Sequence, residues 1–86
     1  MKKIAIFASG SGSNAENIIR YFAQKPEICV KKIFCNVPDA YVLQRARKYN
    51  IPASVFTREE FRDPGKLLQQ LKEEEIDYII LAGFLW

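Results

Sequence analysis

Residues 9–14, Ser-Gly-Ser-Gly-Ser-Asn, have the composition that an anion-binding turn requires. They follow a short apolar run and lead into a pattern typical of an amphipathic helix. Small residues let the backbone approach a ligand closely, and the first N–H groups of a helix have no partner within it. Because the helix dipole places about half a positive charge at that end, the turn is suited to a phosphate or another anion. An ordinary capped strand-to-helix connection is the alternative interpretation.

The same turn also satisfies G-x-G-x-x-A, a loose fingerprint of dinucleotide binding. That fingerprint requires an acidic residue near the end of the second strand to hold a ribose hydroxyl. Cys35 and Asn36 stand there instead, and Asp39 lies beyond Pro38, where we expect it to cap a helix. A nucleotide cofactor is therefore disfavoured, and the G-x-x-x-x-G-K-[ST] phosphate loop is absent from the sequence.

Groups that could catalyse a reaction are otherwise missing from the sequence. There is no histidine to act as a general base near neutral pH. The carboxylates cluster at residues 59–60 and 73–75, which resemble solvated helix faces, and the serines of the turn have no activating partner. We therefore expect a binding surface, with no catalytic residue in the chain.

The two cysteines, Cys29 and Cys35, lie in or beside one predicted strand. At about 3.3 Å per residue they would be about 20 Å apart, beyond the reach of a disulfide. Neither belongs to a CxxC pair, and without histidine no metal site is expected. Both are interpreted as buried free thiols.

The composition, 49% hydrophobic and 27% charged residues in a chain of 86, is that of a small globular domain or part of one. No apolar run approaches the ~20 residues that a membrane span needs, and the apolar start is too short for an export signal. We expect a cytoplasmic protein without membrane association. The net charge of +3 comes from scattered basic residues, so no nucleic-acid partner is expected. No oligomeric state is predicted.

The periodic segments alternate between strand and helix along the chain. Strands are predicted at residues 3–8, 29–36, 53–56 and 76–82, with helices at 14–24, at 40–49 and, in pieces, from 57 to about 75. This alternation is typical of an α/β fold, a Rossmann-like open parallel sheet with helices on both faces. The fourth strand is strongly apolar and is predicted to be buried on both sides.

Several residues are suited to begin or end the predicted helices. The candidate helix starts are Ser13 with Glu16 and Thr57 with Glu60, both as capping boxes, and the N-caps Asp39 and Asp63. Asn50 is suited to the left-handed backbone conformation that commonly ends a helix, here the second one. The buried face of the last helix is predicted from three leucines, Leu67, Leu68 and Leu71.

The chain ends on Gly-Phe-Leu-Trp, directly after the fourth predicted strand. Termini are usually exposed and polar, so an end this apolar indicates that more sheet and helix follow. We expect residues 1–86 to be the N-terminal part of a single longer domain, with the anion-binding turn in this part.

Four segments, in order, resemble one family. They are residues 8–14 with the turn, Ile33-Phe34-Cys35-Asn36 with Asp39-Ala40, Arg45-Ala46-Arg47 with Ile51-Pro52, and Leu81-Ala82-Gly83-Phe84. At these residues the chain resembles the phosphoribosylglycinamide formyltransferases (glycinamide ribonucleotide transformylases) of purine biosynthesis. The resemblance covers essentially the whole chain.

The resemblance implies a Rossmann-like fold and the transfer of a formyl group from 10-formyltetrahydrofolate to the amine of glycinamide ribonucleotide, with no metal. It places the substrate phosphate at Gly12, Ser13 and Asn14, and the folate along the backbone of Leu85 and Trp86. Family members often carry arginine where Trp86 stands. In some members another basic residue contributes to the folate site, and Arg62 is a candidate for that residue here.

The family's catalytic asparagine, histidine and aspartate all lie beyond residue 86. We therefore expect this chain to carry the phosphate site and one edge of the folate cleft, and to be inactive alone. The alternative is a small Rossmann-like module without catalysis, which binds a nucleotide or binds a protein partner through apolar residues 79–86.

Overall fold

The computed structural model describes residues 1–84, apart from the side chain of Pro64. Strands and helices alternate in the predicted order through this part of the chain. The elements are β1 Lys2–Ala8, α1 Ser13–Phe22, β2 Ile28–Cys35, α2 Val42–Lys48, β3 Ala53–Val55, α3 Arg58–Arg62, α4 Pro64–Glu73 and β4 Tyr78–Leu81.

The four strands of the described residues form one parallel sheet in the order β3-β2-β1-β4. β1 lies in the middle, with Ala8 paired to Cys35 of β2 and Phe7 paired to Leu81 of β4 near its carboxyl end. Since β1 is covered on both faces, residues 4–8 are all buried, and this part of the strand is continuously apolar. The predicted Rossmann-like parallel sheet is confirmed.

The first face of the sheet packs against α1 and α2. Ile4, Ile6 and Ala8 of β1 form the centre of this core. The helices contribute mostly small buried side chains, namely Ala15 and Ile19 of α1 and Val42 and Ala46 of α2. Small residues let both helices lie close to the sheet and to each other, which fixes α2 beside the start of α1.

The second face carries a cluster of phenylalanines under α3 and α4. Phe7 stacks on Phe34 with ring centroids 5.0 Å apart, and Phe56 stacks on Phe61 of α3 at 5.6 Å. Phe84 meets Phe7 edge-on at 5.5 Å. Such pairs contribute about 0.5–1.5 kcal/mol each beyond the area that they bury. Helices therefore cover both faces of the sheet, as predicted.

The local signals for α3, α4 and the end of α2 are confirmed. The hydroxyl of Thr57 accepts from the Glu60 amide at 3.1 Å while the Glu60 carboxylate accepts from the Thr57 amide at 2.9 Å, a complete capping box. Asp63 caps α4 by accepting from the Gly65 amide at 3.1 Å. Asn50 has the expected left-handed backbone, with φ 58°.

The prediction that Asp39 caps α2 is wrong. α2 begins at Val42, after Tyr41, and no side chain of the described residues caps it. The chain is anchored differently here, because the Ala40 amide donates to the Val37 carbonyl at 3.2 Å and the Val42 amide donates to Gly10 of the first turn at 3.3 Å. The backbone of the first turn thus takes the role that the sequence assigned to Asp39.

Two predictions of burial are wrong in part. Leu67 and Leu71 pack against the phenylalanine cluster, but Leu68 is 55% exposed because it lies about 100° further round the helix than Leu67. Cys35 is buried whereas Cys29 is only half-buried, and both thiols are free.

The prediction that the fourth strand is buried on both sides is also wrong for the described residues. β4 forms one edge of the sheet, and Ile79 and Leu81 are 50% and 67% exposed. α1 and α2 pack over β1 and β2, and α3 and α4 lie over the phenylalanine cluster. Among the described residues of β4, only Ile80 packs against either core. This strand thus leaves apolar side chains open in the described part of the chain.

Leu67 and Leu68 provide a matched test of this packing. Replacing Leu67 with alanine removes contacts to the phenylalanine cluster, so we expect the free energy of unfolding to fall by about 2 kcal/mol. Leu68→Ala removes the same atoms from the exposed side of the helix and should lower the free energy of unfolding by less than about 0.5 kcal/mol. Urea unfolding of both variants, followed by circular dichroism, measures the difference, and equal losses would contradict the assignment of the buried face.

Candidate functional site

The turn between β1 and α1 depends on a glycine at position 12. Gly12 has φ 79° and is the N-cap of α1. A Cβ at this position would lie 2.5 Å from Cγ2 of Val42 and 2.8 Å from its Cα, closer than van der Waals contact permits. Both the left-handed backbone and the contact with α2 therefore require glycine.

The capping box predicted at Ser13 and Glu16 is wrong. Ser13 is the first residue of α1, and no side chain of residues 1–84 caps this helix. The Glu16 carboxylate turns instead toward α2, where Arg45 offers a stronger, charged donor than a backbone amide. As a result, no described side chain occupies the N-terminus of α1, where Ser13 and Asn14 are both exposed.

α2 fixes the path of the first turn through two hydrogen bonds to its backbone. The Val42 amide donates to the Gly10 carbonyl at 3.3 Å, and Nε of Arg45 donates to the Ser11 carbonyl at 2.6 Å. Both turn carbonyls are therefore directed toward α2. The N–H groups at the start of α1 receive no side-chain cap from the described residues, an arrangement that suits an anion.

A compact ion-pair network lies behind the turn. Nη1 of Arg45 donates to Oε1 of Glu16 at 2.5 Å, and the Tyr49 hydroxyl donates to Oε2 at 3.2 Å. Nζ of Lys48 lies 3.8 Å from Oε2, and the Arg45 guanidinium lies over the Tyr41 ring, 4.8 Å from its centre. The hydrogen bond from Arg45 lowers the pKa of Glu16 below its ordinary value against the opposing effect of desolvation, with smaller help from Tyr49 and Lys48.

The carboxyl ends of β1 and β2 are joined beside the turn. The Ser9 hydroxyl, only 7% exposed, donates to Oδ1 of Asn36 at 2.6 Å. In parallel sheets this edge is where ligands bind, because the loops that follow the strands converge there. Ser9 connects two strands at this edge.

The predicted phosphate residues Gly12, Ser13 and Asn14 lie together at the start of α1. The predicted folate residues Leu85 and Trp86 lie outside the described residues. Arg62 is exposed at the end of α3. Sequence reasoning missed the network of Glu16, Arg45 and Tyr49, since Arg45 and Glu16 are 29 positions apart and no local spacing links them.

The described residues hold neither a metal cluster nor a membrane span. Within residues 1–84 no group of three or more histidine, cysteine, aspartate or glutamate residues is placed to hold a metal ion. The helices described here are also too short and too polar to cross a membrane.

Gly12 and Gly10 provide a matched pair for testing the turn. A Cβ at Gly10 would meet nothing within 4 Å, whereas one at Gly12 would collide with Val42. We expect Gly12→Ala to lower the free energy of unfolding by about 2–4 kcal/mol through backbone strain and overpacking. The free energy of unfolding of Gly10→Ala should stay within about 0.5 kcal/mol of that of the parent chain. Equal unfolding midpoints in urea for the two variants would refute the close contact with α2.

The Glu16 network predicts a pH-dependent stability. Because the folded pKa of Glu16 is lower than the unfolded one, its contribution is complete above the ordinary value of 4.5 and is lost as the pH falls through the folded value. We expect Glu16→Gln to be less stable than the parent chain at neutral pH, with the difference shrinking below pH 4.5. Urea unfolding at a series of pH values measures this difference in the free energy of unfolding. Glu27→Gln, at an exposed residue, is the control. A difference that stayed constant with pH would contradict the ion pair.

Comparisons with known proteins identify the family. The sequence profile described as formyl transferase matches residues 2–86. A phosphoribosylglycinamide formyltransferase of Bacillus subtilis is 33% identical over 99% of this chain and 46% of its own length. One from Haemophilus influenzae is 39% identical over 99% of this chain and 42% of its own length. The chain thus spans about half the length of the curated relatives that it matches.

Solved structures agree with the sequence matches. The crystal structure of glycinamide ribonucleotide transformylase 1 from Geobacillus kaustophilus superposes with a TM-score of 0.89 at 35% identity, over the whole of this chain and 48% of that one. The phosphoribosylglycinamide formyltransferase of Streptococcus pneumoniae superposes with a TM-score of 0.80 at 38% identity, again over the whole of this chain and 47% of the other. The resemblance drawn from the first turn and from residues 81–84 is confirmed, and this chain belongs to the formyl transferase family.

Proposed function

We propose that this chain takes part in the transfer of a formyl group from 10-formyltetrahydrofolate to the amine of glycinamide ribonucleotide, in purine biosynthesis in the cytoplasm. Its share of that reaction is the binding of the substrate phosphate. The observation that carries the proposal is the start of α1, which no described side chain caps, at the carboxyl edge of the sheet. Relatives from Bacillus subtilis and Haemophilus influenzae carry the name of this activity.

The phosphate would bind at Gly12, Ser13 and Asn14. The amides of the first helical turn and the side chains of Ser13 and Asn14 are donors, and the helix dipole favours an anion there. Gly12 has no side chain to shield these donors, and its contact with Val42 fixes the direction in which they point. A dinucleotide is a poorer occupant, because Cys35 and Asn36 stand where a ribose-binding acid would be needed.

The folate would lie along the backbone of Leu85 and Trp86. Phe84, the residue before them, packs in the phenylalanine cluster against Phe7 and Phe56, at 5.5 and 5.9 Å between ring centres. The Ala82 amide also donates to the Phe7 carbonyl at 2.9 Å. These contacts hold residues 82–84 at the carboxyl edge of the sheet, the edge that also carries the first turn. Arg62, on α3, is a candidate for a contact with the folate.

This chain contributes to the reaction by orienting the substrate. In the reaction the amine attacks the formyl carbon, and the phosphate lies at the far end of the substrate from that amine. Binding energy gained at a remote group can be used to hold the reacting atoms in place. The residues that transfer protons and stabilise the oxyanion, an asparagine, a histidine and an aspartate, belong to the C-terminal part of the family's domain, and no metal takes part.

We further propose that residues 1–86 form the N-terminal part of that single domain. The exposed side chains of β4 support this arrangement, because Tyr78, Ile79 and Leu81 lie beside a strand edge that no other strand of residues 1–84 pairs. An edge of this kind is normally paired or covered. The same edge also favours the second candidate function, a protein-interaction module that binds a partner strand along β4.

The phosphate site can be tested by calorimetric titration of the chain. We expect glycinamide ribonucleotide to bind at least about tenfold more tightly than the corresponding nucleoside without phosphate, because a charge-assisted phosphate contact contributes more than about 1.4 kcal/mol. Equal affinity for the two compounds would overturn the proposed site. A formyl-transfer assay on the same chain should show no turnover, and turnover would contradict the absence of catalytic residues from it.

A further inference from the structure

Arg45 bridges the first turn and the first helix without lying in either. Its Nε donates to the Ser11 carbonyl at 2.6 Å, and its Nη1 donates to the Glu16 carboxylate at 2.5 Å. The side chain is about one quarter exposed, and its guanidinium lies over the Tyr41 ring. One guanidinium therefore fixes a carbonyl and a carboxylate that flank the proposed phosphate site.

The Glu16 carboxylate is an anion in the first turn of α1, the helix end at which a phosphate would bind. With its side chain only 14% exposed, it is poorly screened by solvent. Left alone, its charge would repel an incoming phosphate and compete with it for the helix dipole. The groups that face it are the Arg45 guanidinium, the Lys48 ammonium and the Tyr49 hydroxyl.

We propose that Arg45 is a positioning residue for the substrate phosphate. It holds the Ser11 carbonyl toward α2 and neutralises Glu16, so that the start of α1 presents N–H groups and a positive potential to the ligand. Arg45 acts through these two groups and does not touch the substrate. The inference rests on the proposed function, since it assigns a role in binding the phosphate of that substrate.

The geometry requires arginine at this position. Nε and Nη1 belong to one rigid plane, so the bonds to Ser11 and Glu16 fix each other's direction. A lysine could place a charge near Glu16 but would have only one nitrogen for both acceptors. We therefore expect Arg45→Lys to restore only part of the affinity that Arg45→Gln loses.

The two partners should have opposite effects on phosphate binding. Arg45→Gln leaves Glu16 with only the more distant Lys48 ammonium to compensate its charge, and should weaken binding of glycinamide ribonucleotide about fivefold. Glu16→Gln leaves Arg45 in place with an uncompensated positive charge and should tighten binding about twofold to fivefold. A loss of folding cannot tighten binding, so the second variant separates the electrostatic role from a structural one.

The experiment is a calorimetric titration of the chain and its variants with glycinamide ribonucleotide and with the nucleoside that lacks the phosphate, at low and high salt. Arg47→Gln is the matched control, since Arg47 is exposed on the same helix and its loss changes the net charge equally. We expect changes only for Arg45 and Glu16, only with the phosphorylated compound, and smaller at high salt.

The outcomes distinguish this inference from the proposed function. If the parent chain does not prefer the phosphorylated compound, the proposed function fails and the inference fails with it. If the parent chain has that preference but Arg45→Gln behaves like Arg47→Gln, or Glu16→Gln weakens binding, the proposed function stands and the role of Arg45 is refuted.

Discussion

The first turn and the second helix lie in contact because position 12 has no side chain. Gly12 allows Val42 to approach where a Cβ would be only 2.5 Å away, and this contact brings α2 close enough to bind the turn's carbonyl groups. The start of α1, the packing of α2 on the sheet and the placement of Arg45 all follow from that approach. A change at this one position would therefore disturb the core and the candidate site together.

Electrostatics at the turn follow from the same arrangement. A helix that begins without a side-chain cap leaves its first N–H groups for an external anion, but α1 also carries a glutamate in its first turn. The chain compensates that charge from a second helix, through Arg45 and Lys48, and does not use it to cap the first. Tyr49 completes the network from the end of α2. The candidate site is thus built by two helices, although only one of them carries the residues proposed to bind the phosphate.

Features with local causes could be predicted from the sequence. The alternation of strands and helices, the capping box of Thr57 and Glu60, the Asp63 cap and the left-handed Asn50 each depend on residues within a few positions. The glycine-serine turn could be identified as the candidate site for the same reason.

The failures involve partners that are distant in sequence. Glu16 does not cap α1 because Arg45, 29 positions away, binds it more strongly. Asp39 does not cap α2 because the Gly10 carbonyl accepts from the Val42 amide instead. The apolar sequence of β4 predicts burial, yet burial depends on what covers the edge of the sheet, and the described helices lie over other strands.

The central claim, a phosphate site at the start of α1, is tested most directly by an amide NMR titration of the chain with glycinamide ribonucleotide. The account predicts the largest shifts at Gly12, Ser13 and Asn14, with none there for the nucleoside that lacks the phosphate. Shifts confined to β4, or equal shifts at the turn with both compounds, would contradict it.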